Sequence, residues 1–205
     1  MRASLITVVA LVSAASAQVS STDEQSLEKA LDRDPRNAIA VSSLAHLYFQ
    51  RAMGETDLDA KIRLLDKAEE FQKKAAEINP GNKEAYYAQG VIEWAKCYPR
   101  VMDARARLGM KPETPGPVAH SNIRVDLRAR CALENGIDQL KRALEIDPQY
   151  ADAMAYMNLL LPLRADLAES TNDYARYTAE AGDWVQRALE AKKKQAEGVH
   201  AQPRH

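Results

Sequence analysis

Between residues 58 and 78 the apolar positions are Leu58, Ile62, Leu65, Ala68, Phe71, Ala75 and Ile78. Steps of three and four trace one face of an α-helix, so this stretch predicts an amphipathic helix with a core stripe. A second such stripe runs through Tyr174, Tyr177, Ala181, Trp184, Val185 and Ala188. Helices are further expected over 37–53, 83–108, 124–146 and 151–167. Gly54-Glu55-Thr56 and Ser170-Thr171-Asn172 supply turns, and Pro162 predicts a kink. Ser21-Thr22-Asp23-Glu24 reads as a capping box, with Ser21 accepting an orphan amide and Glu24 reaching back, and it opens a short helix that ends near Asp34.

One phrase recurs along the chain. Lys29-Ala30-Leu31-Asp32-Arg33-Asp34-Pro35 returns as Lys74-Ala75-Ala76-Glu77-Ile78-Asn79-Pro80, as Arg142-Ala143-Leu144-Glu145-Ile146-Asp147-Pro148, and as Arg187-Ala188-Leu189-Glu190. Its alanines, Ala30, Ala75, Ala143 and Ala188, are separated by 45, 68 and 45 residues. A period in this range marks stacked supersecondary units, with an insertion in the middle one. The proline closes each helix because it cannot extend the hydrogen-bond ladder.

These residues resemble the tetratricopeptide repeat family. In the second helices, small residues Ala68, Gly136 and Ala181 stand seven before Ala75, Ala143 and Ala188. In the first helices the packing positions read Val41, Leu44, Ala45 and Tyr48, then Tyr86, Gln89, Gly90 and Glu93, then Met154, Met157, Asn158 and Leu161. The first set fits the family pattern; Gln89, Glu93 and Asn158 depart from it. The resemblance implies an all-α fold, a right-handed α-solenoid of stacked helix-turn-helix hairpins, and an exported bacterial member of the family. The divisions expected are a half-repeat helix over 18–36 and repeats over 37–80, 81–148 and 149–195. The second repeat carries a Pro-rich exposed loop at 109–123, and a flexible tail occupies 196–205.

Ahead of these, Arg2, the apolar run Leu5 to Ala15 and Ala15-Ser16-Ala17 have the form of a signal peptide over 1–17. The run is about 11 residues, short of the roughly 20 a spanning helix needs, so stable membrane insertion is not expected. The expectation is an exported protein, periplasmic or secreted.

Composition narrows the chemistry. With 28 basic and 29 acidic residues in 205, the chain has no cationic excess for nucleic acid. The histidines, 46, 120, 200 and 205, show no metal spacing, and neither HExxH, GxSxG, a phosphate-binding loop nor GxGxxG occurs. No catalytic residue, metal or cofactor is assigned, and the chain is read as a non-enzyme. The two cysteines are the specific pair. If Gly90 faces Gly136 in an antiparallel helix pair, Cys97 and Cys131 lie at nearly one height, but five residues from Gly136 puts Cys131 roughly 140° round its helix. A disulfide and two buried thiols both remain open.

Hairpins stacked at a steady angle form a superhelix whose first helices line a concave face, the place for a peptide or a partner helix. The groove positions implied by the resemblance include His46, Phe49, Tyr87, Val91, Trp94 and Tyr156, and their rings are candidate anchors. Cationic residues are scarce there, so the carboxylate clamp of chaperone-binding relatives is not evident. The favoured reading is a protein-binding module; the alternative is a structural subunit that self-assembles or whose groove its own loop fills.

Overall fold

The structure is a computed structural model that describes residues 23–111 and 114–200, with side chains described through residue 197. All of its elements are helices: α1 (23–33), α2 (Ala38–Gly54), α3 (Leu58–Ile78), α4 (Lys83–Arg107), α5 (Ser121–Arg130), α6 (Leu133–Ile146), α7 (Ala151–Asp166) and α8 (Thr171–His200). The fold is all-α and repetitive, with hairpins α2–α3, α4–α6 and α7–α8. The signal segment 1–17, Ser21 and Thr22 of the capping box, Pro112, Glu113 and residues 201–205 lie outside the described residues. The helices divide into two compact units that part after Ile78.

The recurring phrase folds into one recurring turn. The side-chain oxygen of Asp34, Asn79 or Asp147 accepts the backbone N–H two residues on, from Arg36, Gly81 or Gln149, at 3.0, 3.0 and 2.9 Å. Each carbonyl of the same three residues accepts the N–H three residues on, at 3.0 Å. This is an Asx turn nested in a β-turn, which is why Asp or Asn precedes proline each time. Asn37 and Asn82 then cap the next helices by accepting from Ala40 and Ala85 at 3.0 and 3.3 Å. The third copy places Tyr150 at the cap, and its side chain makes no cap hydrogen bond.

In the first unit, α2 buries Val41, Leu44, Ala45, Tyr48 and Ala52 against Leu65 and Ala68 of α3. Tyr48 stacks on Phe71 with centroids 5.8 Å apart. Glu24 of α1 accepts from the Tyr48 hydroxyl and from Arg51, which ties α1 to α2. The capping-box carboxylate thus has tertiary partners that the local motif does not foretell.

In the second unit the core gathers Cys97, Val101, Val118, Ile137, Leu140, Met157, Leu160 and Leu161. Gly90 does face Gly136: a Cβ on Gly90 would meet Leu140 at 2.6 Å and the Gly136 carbonyl at 3.1 Å, and one on Gly136 would meet Glu93 Cβ at 2.9 Å. The off-pattern residues fit this close crossing. Gln89, 2% exposed, donates back to the Ala85 carbonyl at 3.1 Å, and Glu93, 3% exposed, lies 3.5 Å from Lys96.

Four expectations need correction. Residues 124–146 are two helices, broken at extended Cys131 and at Ala132, and Arg100 donates to the freed Arg130 carbonyl at 3.1 Å. The inserted loop is not simply exposed. Val118 is fully buried, its N–H donates to the Asp166 carbonyl at 2.8 Å, and Arg105 binds the carbonyls of Lys111, Thr114 and Gly116. α8 begins at Thr171 with Ser170 accepting from the Asp173 N–H at 3.0 Å, so two residues of the expected turn are already helical. It continues through residue 200, so part of the expected tail is helix. Pro162 lies within α7, as expected, at an exposed position where water can satisfy the carbonyl that lost its N–H partner.

Candidate functional site

Tyr87, Val91, Trp94 and Tyr98 follow one another at steps of four, three and four residues along α4, one stripe of the helix. α7 packs beside α4 and adds Tyr156, while Tyr150 enters from the turn before it. The five rings form a continuous row. Tyr150 and Tyr87 have centroids 5.2 Å apart and tilted by 56°, and Tyr87 meets Tyr156 edge-on at 5.4 Å. Tyr156 meets Trp94 edge-on at 6.1 Å, and Trp94 stacks with Tyr98 at 5.0 Å. Tyr87, Trp94, Tyr150 and Tyr156 are half-buried, their inner edges resting on the core of the unit, and Tyr98 is 43% exposed.

Edge-to-face rings hold one another in place, so the row presents a fixed apolar surface with polar rims. Glu84, exposed on the first turn of α4, accepts the Tyr150 hydroxyl. Burial, and then that hydrogen bond, raise the Tyr150 pKa above its ordinary value. Tyr87 is raised by burial and by Tyr156, Asp152 and Glu84, and Tyr156 by burial and Asp152. All three phenols therefore remain neutral hydrogen-bond donors across the physiological range.

Tyr87, Trp94 and Tyr156 are the three ring candidates of the second unit, and the structure brings them together. Val91 belongs to the same stripe but is 8% exposed, so it supports the rings rather than offering surface; this corrects its assignment as a contact residue. Tyr98 and Tyr150 were missed. Tyr98 is four residues beyond Trp94 on the same stripe, and Tyr150 stands where the other two turns carry Asn. His46 and Phe49 belong to the first unit. His46 is exposed and lines an open groove of about 610 Å³ with Ser42, Gln50, Asp23 and Leu27, whereas Phe49 is half-buried and does not line it.

Cys97 and Cys131 are joined as a disulfide, with Cα atoms 5.2 Å apart. The angular objection disappears because Cys131 belongs to the extended link between α5 and α6. Next to it, Arg128, Glu134, Arg164, Glu169 and Tyr177 line a pocket of about 300 Å³. Its charges are matched: Arg128 bonds Glu169 at 2.7 Å and Arg164 bonds Glu134 at 2.6 Å.

Arg105 also bonds the Asp166 carboxylate at 2.5 Å, and burial pushes Asp166 up to about 6 although the guanidinium pulls the other way. This pair fastens the loop at the far end of α4. Eleven residues from Trp94 is about 16 Å along a helix, so the loop's described hydrogen bonds lie away from the ring row. Among the described residues, no group of three or more His, Cys, Asp or Glu is placed to hold a metal ion, and no helix is long and apolar enough to cross a membrane.

No family model matches the sequence, and no curated protein matches it. Among solved structures, two crystal structures of MamA are similar to the chain, each at 17% identity over 85% of it. They are covered to 89% and 83%, with TM-scores of 0.28 and 0.29.

Proposed function

We propose that the chain is a non-catalytic protein-interaction module of tetratricopeptide-like repeats, exported with loss of residues 1–17, and that it binds a peptide or helix of an envelope or secreted partner on the ring row of α4 and α7. The observation that carries this reading is the row itself: five aromatic rings in contact, none fully buried, four on the first helices of two successive hairpins and Tyr150 in the turn that leads into the second. Rigid rings gain much contact area for little lost conformational entropy, which is why such residues dominate interface energetics. The Cys97–Cys131 bridge supports export, since disulfides persist in oxidising compartments. Crosslinking the mature protein in envelope extract and identifying the captured chains, beside the Tyr87→Ala/Trp94→Ala variant, tests the reading. Capture should be lost while far-ultraviolet circular dichroism is unchanged; undiminished capture by the variant removes the ring row as the binding face.

Self-association is the second reading. Ile39, Val125 and Leu189 are 79%, 59% and 58% exposed, apolar side chains that a second copy could cover. A mass in light scattering that rises with concentration would favour it.

A further inference from the structure

The geometry points to a cationic segment of a partner protein, bringing a Lys or Arg side chain to the Tyr150 end of the ring row, as the occupant of this face. This inference rests on the row being the binding face. Two exposed carboxylates stand there. Glu84, on the first turn of α4, accepts the Tyr150 hydroxyl, and Asp152, on the first turn of α7, acts electrostatically on Tyr87, Tyr150 and Tyr156. A first-turn carboxylate is already favoured by the helix dipole. The dipole does not account for three tyrosines gathered against two such carboxylates.

Ring faces and carboxylates attract the same ligand. A cation over an aromatic face is drawn by the ring quadrupole, and a carboxylate at the ring's edge adds a hydrogen-bonded counter-charge. The second unit already uses this pairing internally: Lys83 Nζ is 4.6 Å from the Tyr150 centroid while bonding Asp147 at 2.6 Å, and Arg164 and Arg176 lie 4.2 and 4.4 Å from the Tyr177 ring. Two of the chain's own cations already stand at the site. Lys83 is committed to Asp147, and Lys192 approaches Asp152 only to 3.6 Å, both side chains being more than half exposed. Water screens such a pair, and an incoming cation displaces it at little cost. Among the described groups at this end, the carboxylates Glu84, Asp147 and Asp152 outnumber Lys83 and Lys192, so an anionic segment would meet an excess of like charge and the charge pattern favours a cation.

The experiment uses the full mature chain with Trp184→Phe, so that Trp94 is the reporting fluorophore. Three synthetic ten-residue peptides of Gly, Ser and Leu are titrated, carrying three Arg, three Glu or three Gln. The Arg peptide should change Trp94 emission saturably, with an affinity that falls as salt rises, and bind at least about fivefold tighter than the Gln peptide. Glu84→Gln/Asp152→Asn should weaken the Arg peptide by about five- to thirtyfold while circular dichroism is unchanged. Equal binding of the Arg and Gln peptides, or an unchanged Arg affinity in the double carboxyl variant, overturns the charge selection and leaves the ring row standing. Failure of all three peptides overturns it too. Retained partner capture by Tyr87→Ala/Trp94→Ala removes the underlying face instead.

Discussion

Gly136 shows what one hydrogen atom in place of a methyl group decides. Its missing Cβ lets α6 approach until Glu93 Cβ lies 2.9 Å from where that carbon would be, with Leu160 at 3.2 Å. Gly182, in the interior of α8, has nothing within 4 Å of its virtual Cβ. The two therefore answer alanine with opposite signs. Gly136→Ala should cost about 1–3 kcal/mol through overpacking, and Gly182→Ala should gain about 0.5–1 kcal/mol by removing glycine's excess chain entropy. Urea unfolding midpoints check both; a stabilised Gly136→Ala would refute the close crossing. This pairing of glycines was legible because two small residues in the repeat pattern must face something. Arg105 was not legible. In the sequence it is one more basic residue on a helix, and only the folded loop reveals the three carbonyls and one carboxylate it collects.

At the scale of elements, periodicity found the hairpins and missed the break inside one of them. Cys131 and Ala132 carry no glycine or proline, so nothing local announces an end to the helix. The break comes from a tertiary demand: Cys131 must be extended for its sulfur to reach Cys97. The bridge matters most for α5, which has a single buried side chain, Leu127. Closing a 35-residue loop contributes at most about 3.8 kcal/mol on the chain-entropy account. Cys97→Ser/Cys131→Ser, or reduction of the native chain, should lower unfolding free energy by about 2–4 kcal/mol and speed hydrogen exchange in 121–132 before any other helix of the second unit. Two reactive thiols in the unreduced native protein would sink the bridge. The Asx turns were half visible: the Asp/Asn-Pro phrase was plain, while its hydrogen-bond pattern needed the backbone.

At the scale of the molecule, the 45, 68, 45 spacing was enough to read an all-helical repeat protein, because each copy needs a neighbour to bury its apolar stripe. The ring row was legible in part, since family positions pick Tyr87, Trp94 and Tyr156 but cannot separate a ring at the surface from a valine beneath it. If export proceeds as proposed, the mature protein recovered from the producing cell begins at Gln18, and its intact mass lacks residues 1–17; a mass retaining Met1 in the exported fraction would contradict this. Asn37 and Asn82 hold their helices by hydrogen bonds, whereas Tyr150 gives up about 1 kcal/mol of capping and contributes a ring. In a repeat array each unit's stability is partly its neighbour's, and here Lys83 of the preceding hairpin clasps Asp147 in the turn that Tyr150 closes. The cap that this repeat lacks is thus offset by a contact from its neighbour, so Lys83→Met should loosen the start of α7 in hydrogen exchange more than any matching change would loosen α2 or α4.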